Sequence, residues 1–189
     1  MKVVIIDYGA GNTQSVKYAL ERIGVQAVLS DDAGIITGAD RVIFPGVGHA
    51  KPAMETLRSK GLDKVIVNLQ QPVLGICLGM QLMCKHSEEG DTACLAIFDE
   101  EVKLFEPRLK VPHVGWNTTT GTDGTSDWHY YVHSYYVPHN AHTTHTCNYI
   151  ENFSAAIRRG NFTGVQFHPE KSGPAGEQLL KHFIEDTWK

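Results

Sequence analysis

Cys77 stands in the run Gly75-Ile76-Cys77-Leu78-Gly79-Met80-Gln81, behind the apolar pair Val73-Leu74, and a thiol in that setting is placed to attack a carbonyl carbon. Val73, Leu74 and Ile76 suit a buried parallel strand and residues 80–85 suit a helix, so Cys77 falls on the corner between them. This is the pattern of a nucleophile elbow with sulfur in place of the serine oxygen. Glycines on both sides let helix and strand close over the corner, and a helix N-terminus favours thiolate over thiol. A base is available in Gln166-Phe167-His168-Pro169-Glu170. His168 and Glu170 are two apart at the end of an extended segment, where alternate side chains share a face. Pro169, with fixed φ and no N–H, suits the last residue of a strand. Each feature alone has an ordinary explanation, a buried cysteine in a turn or a solvent-facing strand end. Together they describe a Cys-His-Glu triad: Cys77 as nucleophile, His168 as acid and base, Glu170 as the carboxylate that orients the imidazole.

The elements that position these groups follow from periodicity. A strand over 3–6 leads through Tyr8-Gly9-Ala10-Gly11-Asn12 to a helix over 13–23, which Gly24 ends. Further strands are expected over 25–29 and 41–44, the second followed by the glycine turn Pro45-Gly46-Val47-Gly48. Helices over 50–58 and 62–69 precede the strand that carries Cys77. Strand, turn and helix thus alternate, predicting an α/β fold with a mostly parallel central sheet flanked by helices. In such sheets the reactive site lies outside the carboxyl ends of the strands, where these glycine turns collect. After Glu88-Glu89-Gly90-Asp91 the segments become shorter and richer in β-formers: 102–105, 130–137, 144–150, 155–159 and 162–167, separated by turn signals. Antiparallel strands added to the same core are expected in this half, closed by a helix over 175–187.

Composition sets the limits. At 189 residues the chain is read as one domain over 1–189, able to bury a full core. A net charge of −4 gives no electrostatic case for nucleic acid or an anionic membrane. The apolar run at the N-terminus, ended by Asp7, is too short for a signal peptide or a membrane span, and a cytoplasmic enzyme is expected. Cys77, Cys84, Cys94 and Cys147 show no regular framework and are expected to be free thiols.

The chain resembles the class I (triad) glutamine amidotransferases along essentially its whole length, on the two motifs around Cys77 and His168. Within them it is similar to the glutaminase subunits of imidazole glycerol phosphate synthase. That narrower resemblance rests on residues 7–12, Pro45-Gly46-Val47-Gly48, Pro112-His113-Val114-Gly115-Trp116-Asn117 and His133-Ser134-Tyr135. The family pattern has methionine where this chain has Val114, an exchange that keeps an apolar side chain. The resemblance implies a flavodoxin-like fold and hydrolysis of glutamine to glutamate and ammonia through a glutamyl thioester, with no cofactor and no metal. It implies oxyanion donors from the N–H groups of Leu78 and Val47. The glycines around Val47 suggest that its N–H joins the hole only on a signal. It also implies that Gly46, Gln81 and the backbone of Ser134 and Tyr135 hold the amino-acid end of glutamine. Gln81 lies one helical turn beyond Cys77, which supports this independently. Ammonia would pass to a cyclase subunit, a (β/α)8 barrel that makes imidazole glycerol phosphate and an aminoimidazole carboxamide ribotide. Nothing in this chain could use the ammonia, since it lacks a phosphate loop and has no room for a barrel. Asn12, Trp116, Asn117, Tyr130 and Lys171 are the candidates for the docking face, with a core position the alternative for Trp116.

Other patterns compete. Gly9-Ala10-Gly11 with Asp31 imitates a dinucleotide fingerprint, but Gln14 stands at the third glycine. His139, His142, His145 and Cys147 are close in sequence but match no zinc spacing. Glutaminases of pyridoxal phosphate or aminobenzoate synthesis share the triad motifs.

Overall fold

Val3 to Ile6 alternate between two buried sides, Val4 and Ile6 in one apolar cluster, Val3 and Ile5 in the other. A strand buried on both faces belongs inside a covered parallel sheet. In the computed structural model, which describes residues 1–185, that is its position. The elements of the first half are β1 (Val3–Ile6), α1 (Thr13–Arg22), β2 (Ala27–Ser30), α2 (Ala33–Thr37), β3 (Arg41–Gly46), α3 (Ala50–Ser59), α4 (Leu62–Val67), β4 (Val73–Cys77) and α5 (Leu78–Leu82). The second half contains β5 (His86–Ser87), β6 (Thr92–Ala93), β7 (Glu101–Leu104), β8 (His113–Gly121), β9 (Ser126–His133), β10 (Tyr135–Tyr136), β11 (Thr143–Tyr149), β12 (Glu151–Arg159) and β13 (Phe162–Val165). A 3-10 turn (Pro169–Lys171) and α6 (Gly173–Glu185) follow. The expected end of the last helix at Thr187 lies outside the described residues.

Nine strands form one sheet in the order β2-β1-β3-β4-β13-β12-β11-β8-β9. From β2 to β13 the neighbours run parallel, and from β13 to β9 antiparallel. A smaller four-stranded sheet, β10-β7-β5-β6, lies apart from it. The strand that follows most of the chain, β13, therefore sits in the middle, pairing Gly164 with Gly75 and Val165 with Ile76. Leu57, Met80 and Phe44 fill one side of the sheet, and Leu20, Leu180 and Phe183 the other. Among the described residues no helix is long and apolar enough to cross a membrane.

Several expected elements shift. Helix α2 was not foreseen: Gly34 and the β-branched pair Ile35-Ile36 read poorly as helix, and its signal is Asp32, whose carboxylate accepts from Ile35 N–H at 2.8 Å. Strand β8 was also missed, because its alternation is inverted: Val114 and Trp116 point to solvent while His113 and Thr119 are buried. The expected strand over 130–137 divides into β9 and β10, and α5 is only one turn long, ending at Leu82 rather than 85.

Candidate active site

The register of three parallel strands brings the site together. Gly46 at the end of β3 is opposite Cys77 at the end of β4, and β13 on the other side delivers residues 166–168. Cys77 has φ 53 and ψ −111, a left-handed backbone for a residue with a Cβ, as a nucleophile elbow requires. The elbow is packed to its limit. A Cβ on Gly79 would lie 1.9 Å from the Phe44 carbonyl oxygen, so only glycine lets α5 meet β3 there.

His168 and Glu170 meet as expected, but by a different geometry. Strand β13 stops at Val165, and Pro169 opens the 3-10 turn on which Glu170 sits, rather than ending a strand. Proline suits that first position because its fixed φ fits and its missing N–H is not needed. His168 Nδ1 lies 2.8 Å from Glu170 Oε1, with side-chain exposures of only 4% and 1%. Since a carboxylate only accepts, Nδ1 carries the proton and Nε2 is left for the sulfur. Burial alone would lower the His168 pKa, but hydrogen bonds to Cys77 and Glu170 and their charges outweigh it and raise it to about 10. An imidazolium at neutral pH is the counter-charge a thiolate needs. Ser172 clamps the turn: its hydroxyl donates to the His168 carbonyl at 2.7 Å and accepts from Tyr130 N–H at 3.0 Å.

Cys77, His168 and Lys171 line a cavity of about 320 Å³ together with Val47, Leu78, Gln81, Ser134 and Tyr135. Of the residues expected around glutamine, Gly46 alone is beneath the cavity rather than on its wall. A Cβ there would approach Gly79 N at 2.7 Å and Tyr8 Oη at 2.9 Å, so the close packing of β3 against the elbow admits only glycine. Val47 is 40% exposed, and the peptide that bears its N–H is flanked by Gly46 and Val47 themselves. Gly48, at φ +96, shapes the following turn and does not flank that peptide, which corrects the expectation that two glycines free it.

Gln81 is buried, donating through Nε2 to the Tyr135 carbonyl and to Gln166 Oε1, both at 2.9 Å. Gln166 in turn directs its Nε2 to Cys77 Sγ at 3.7 Å. Sequence reasoning treated Gln166 only as part of a motif; its place two residues before the base, in a segment expected to be extended, was the available signal. Glu89 was missed as well. Its carboxylate accepts from Ala50 N–H at 2.7 Å, lies 3.0 Å from His49 Nδ1 and faces the cavity. It marked only a change of texture in the sequence, because the segment 83–91 that delivers it has no periodic pattern.

The docking candidates divide. Trp116 is 52% exposed, which excludes the core alternative, and it packs edge-on to Tyr130 at 6.1 Å. Lys171 Nζ lies 5.9 Å over the Tyr130 ring, so it links the cavity mouth to this face. Trp128 and Val114, 60% and 54% exposed, extend it. Asn117 points away from it, donating to the Asn148 carbonyl at 3.1 Å. Asn12 is half-buried before α1 and its side chain makes no cap. Among the competing motifs, Asp31 is paired with Lys60 at 2.6 Å. His142 packs against Phe98, and no three potential metal ligands converge among the described residues.

A cysteine elbow at the carboxyl edge of a parallel sheet, with its base just beyond the end of the neighbouring strand, defines an α/β enzyme with a cysteine nucleophile, and the sequence comparisons agree. The family model "Glutamine amidotransferase class-I" matches residues 4–187, and the chain belongs to that family. Among its curated relatives are HisH subunits of imidazole glycerol phosphate synthase. That of Bacteroides fragilis (strain YCH46) is 52% identical over 98% of this chain and 100% of the relative. That of Idiomarina loihiensis is 47% identical over 99% of each. At this level of identity the chain stands within the HisH group. Solved structures share the fold at far lower identity: a glutamine amidotransferase with TM-score 0.78 and 17% identity, covering 96% of this chain and 97% of that one, and PurLQS from Thermotoga maritima with TM-score 0.73 and 15% identity, covering 99% of each.

Proposed function

We infer that this chain is the glutaminase subunit of imidazole glycerol phosphate synthase, hydrolysing glutamine to glutamate and ammonia. The observation that carries this is the buried Cys77-His168-Glu170 arrangement at a cavity of about 320 Å³ whose otherwise largely apolar wall carries Gln81, Glu89 and Ser134. Glutamine enters with its side-chain amide toward Cys77. The thiolate attacks the amide carbon, the negative charge moves onto the carbonyl oxygen, and Leu78 N–H at the elbow donates a hydrogen bond to that oxygen. Val47, which lines the same cavity, supplies the second donor through its N–H. His168 gives its Nε2 proton to the leaving nitrogen as the C–N bond breaks, releasing ammonia and leaving the thioester. The imidazole then takes a proton from water, the hydroxide adds to the thioester, and the C–S bond breaks, releasing glutamate and restoring the Cys77 thiolate beside the imidazolium. Glu170 holds the Nδ1–H tautomer throughout. At the other end of the substrate, the Glu89 carboxylate suits the α-ammonium group and the backbone of Ser134 and Tyr135 the α-carboxylate.

The consumer of the ammonia is a cyclase subunit, a (β/α)8 barrel docking on the face formed by Trp116, Tyr130, Lys171 and, on present geometry, Trp128 and Val114. Asn12 lies on the periphery of the proposal, and Asn117 is left out because it is turned inward. A cytoplasmic location fits its role in histidine biosynthesis. The test is glutaminase activity of the chain alone, with the cyclase, and with the cyclase and its nucleotide. Strong activity only in the full combination is expected; equal activity in all three would overturn the gated reading.

A further inference from the structure

A chain of hydrogen bonds runs from Asn117 through His113 and His133 to the wall of the glutamine cavity, and both its ends are fixed. Asn117 Oδ1 accepts from Thr118 N–H at 2.8 Å and its Nδ2 donates to the Asn148 carbonyl at 3.1 Å, which settles how the amide is turned. The other Nδ2 hydrogen is left for His113 Nε2, 3.3 Å away. At the far end, His133 Nδ1 lies 2.8 Å from the Tyr135 carbonyl oxygen, which can only accept, so Nδ1 carries the proton. A neutral imidazole has one N–H, so His133 Nε2 is an acceptor. Its neighbour at 3.1 Å, His113 Nδ1, must then be the donor. That leaves His113 Nε2 as an acceptor, the role that Asn117 requires. The two ends, reasoned separately, give the same tautomers, so every bond in the chain points one way.

Burial keeps both rings neutral, lowering the pKa of His133 to about 3 and of His113 to about 4. His113 stacks on Tyr149 at 4.0 Å and on Tyr131 at 5.0 Å, and His133 packs against Phe105 and Phe153. The Tyr135 carbonyl at the end of the chain also accepts from Gln81, so two donors fix the plane of the Tyr135–Tyr136 peptide, which adjoins the Ser134–Tyr135 peptide on the cavity wall.

We propose that Asn117, His113 and His133 are positioning residues for glutamine, holding the Ser134–Tyr135 backbone in place through this one-way chain. The proposal rests on the glutaminase reading given above. Because Asn117 follows the exposed Trp116 on β8, the chain is also a physical path from the proposed docking face to the substrate.

Asn117→Asp tests it in the complex with the cyclase and its nucleotide. The carboxylate replaces a donor by an acceptor, draws the His113 proton to Nε2 and leaves two bare nitrogens facing each other between the rings. The KM for glutamine should rise about tenfold, with kcat and ammonium-dependent turnover within about twofold. His113→Phe, which keeps the stacking but no hydrogen bond, should raise KM similarly. An unchanged KM in both variants would reduce the chain to a structural feature and overturn the proposal. Independently of activity, ring nitrogen NMR on the full chain should show Nδ1–H and bare Nε2 for both His113 and His133. A proton on Nε2 of either ring would overturn it. Absence of wild-type glutaminase activity in the full complex would instead overturn the functional reading, and the tautomers would be unaffected.

Discussion

The parallel and antiparallel halves of the sheet treat buried histidine in opposite ways. At the edge of β13, His168 has Cys77 and Glu170 as partners, and its pKa is raised to about 10 despite burial. In the hairpin β8–β9, His113 and His133 have only neutral partners, and burial takes their pKa to about 4 and about 3. One imidazole is made to carry charge and the others are kept from it, within one cavity that both His133 and His168 line. The difference teaches that reactivity here follows compensation rather than burial. A nucleophile can be activated in a dry site only where its counter-charge is built in, and the surrounding polar groups must then stay neutral to leave that pair undisturbed.

The largest expected effect breaks the charged side. Cys77→Ala should abolish glutamine-dependent synthesis in the complex, a loss of at least about 10⁴-fold, while synthesis from ammonium salts continues. Equal loss of both would make the cysteine structural. Glu170→Gln should cost about 10²-fold in glutaminase kcat, less than Cys77→Ala because the group orients and does not react, and it should lower the His168 pKa read from the pH–rate profile. An unmoved profile would show that Glu170 does not supply the charge that holds the proton. Trp116→Ala tests the docking face and should weaken cyclase binding about 10- to 100-fold with the ammonium-dependent rate at saturating partner retained. Isothermal titration would reveal it, and unchanged affinity would remove Trp116 from the interface.

The smallest effect concerns stability against pH. His113 and His133 have native pKa values below the ordinary value near 6.5, so their contribution is present above about pH 6.5 and is lost as pH falls toward 4 and 3. His168 has a raised native pKa, so its contribution is complete below about pH 6.5 and is lost as pH rises through 10. Urea midpoints should therefore peak near neutrality. In Cys77→Ala the alkaline decline should shrink, because one of the partners raising the His168 pKa is gone, while the acid decline is unchanged. If both limbs moved together, the two sets of histidines would not be independent.

Much of this was legible in the sequence where local pattern and tertiary position agree. The elbow could be read because its glycines and Cys77 form one short motif, with Gly75 set by contacts to Gly79, Met80 and Met83 a few residues on, although the demand for glycine at 79 comes from Phe44 on β3. The parallel strands could be read because burial on both faces leaves continuous apolar runs. Strand β8 was hidden because Val114 and Trp116 lie on its exposed face, a reversal that a periodicity argument interprets wrongly and that the proposed docking face would explain. Glu89 and Gln166 were hidden for another reason: each acts through a partner far away in sequence, Glu89 on Ala50 and Gln166 on Gln81 and Cys77. The two-residue spacing of His168 and Glu170 gave the right pair by the wrong route, since a 3-10 turn and not an extended strand brings them together.

The central place of β13 has a consequence for synthesis in the cell. Strands β4 and β12 can join the same sheet only through it, and the base lies just beyond it in the chain. A polypeptide emerging from the ribosome thus exposes Cys77 long before His168 has been made. No fragment that stops before His168 and Glu170 can assemble that pair, so an unfinished molecule has the nucleophile without its base, and the thiol gains its counter-charge only when folding brings β13 between β4 and β12.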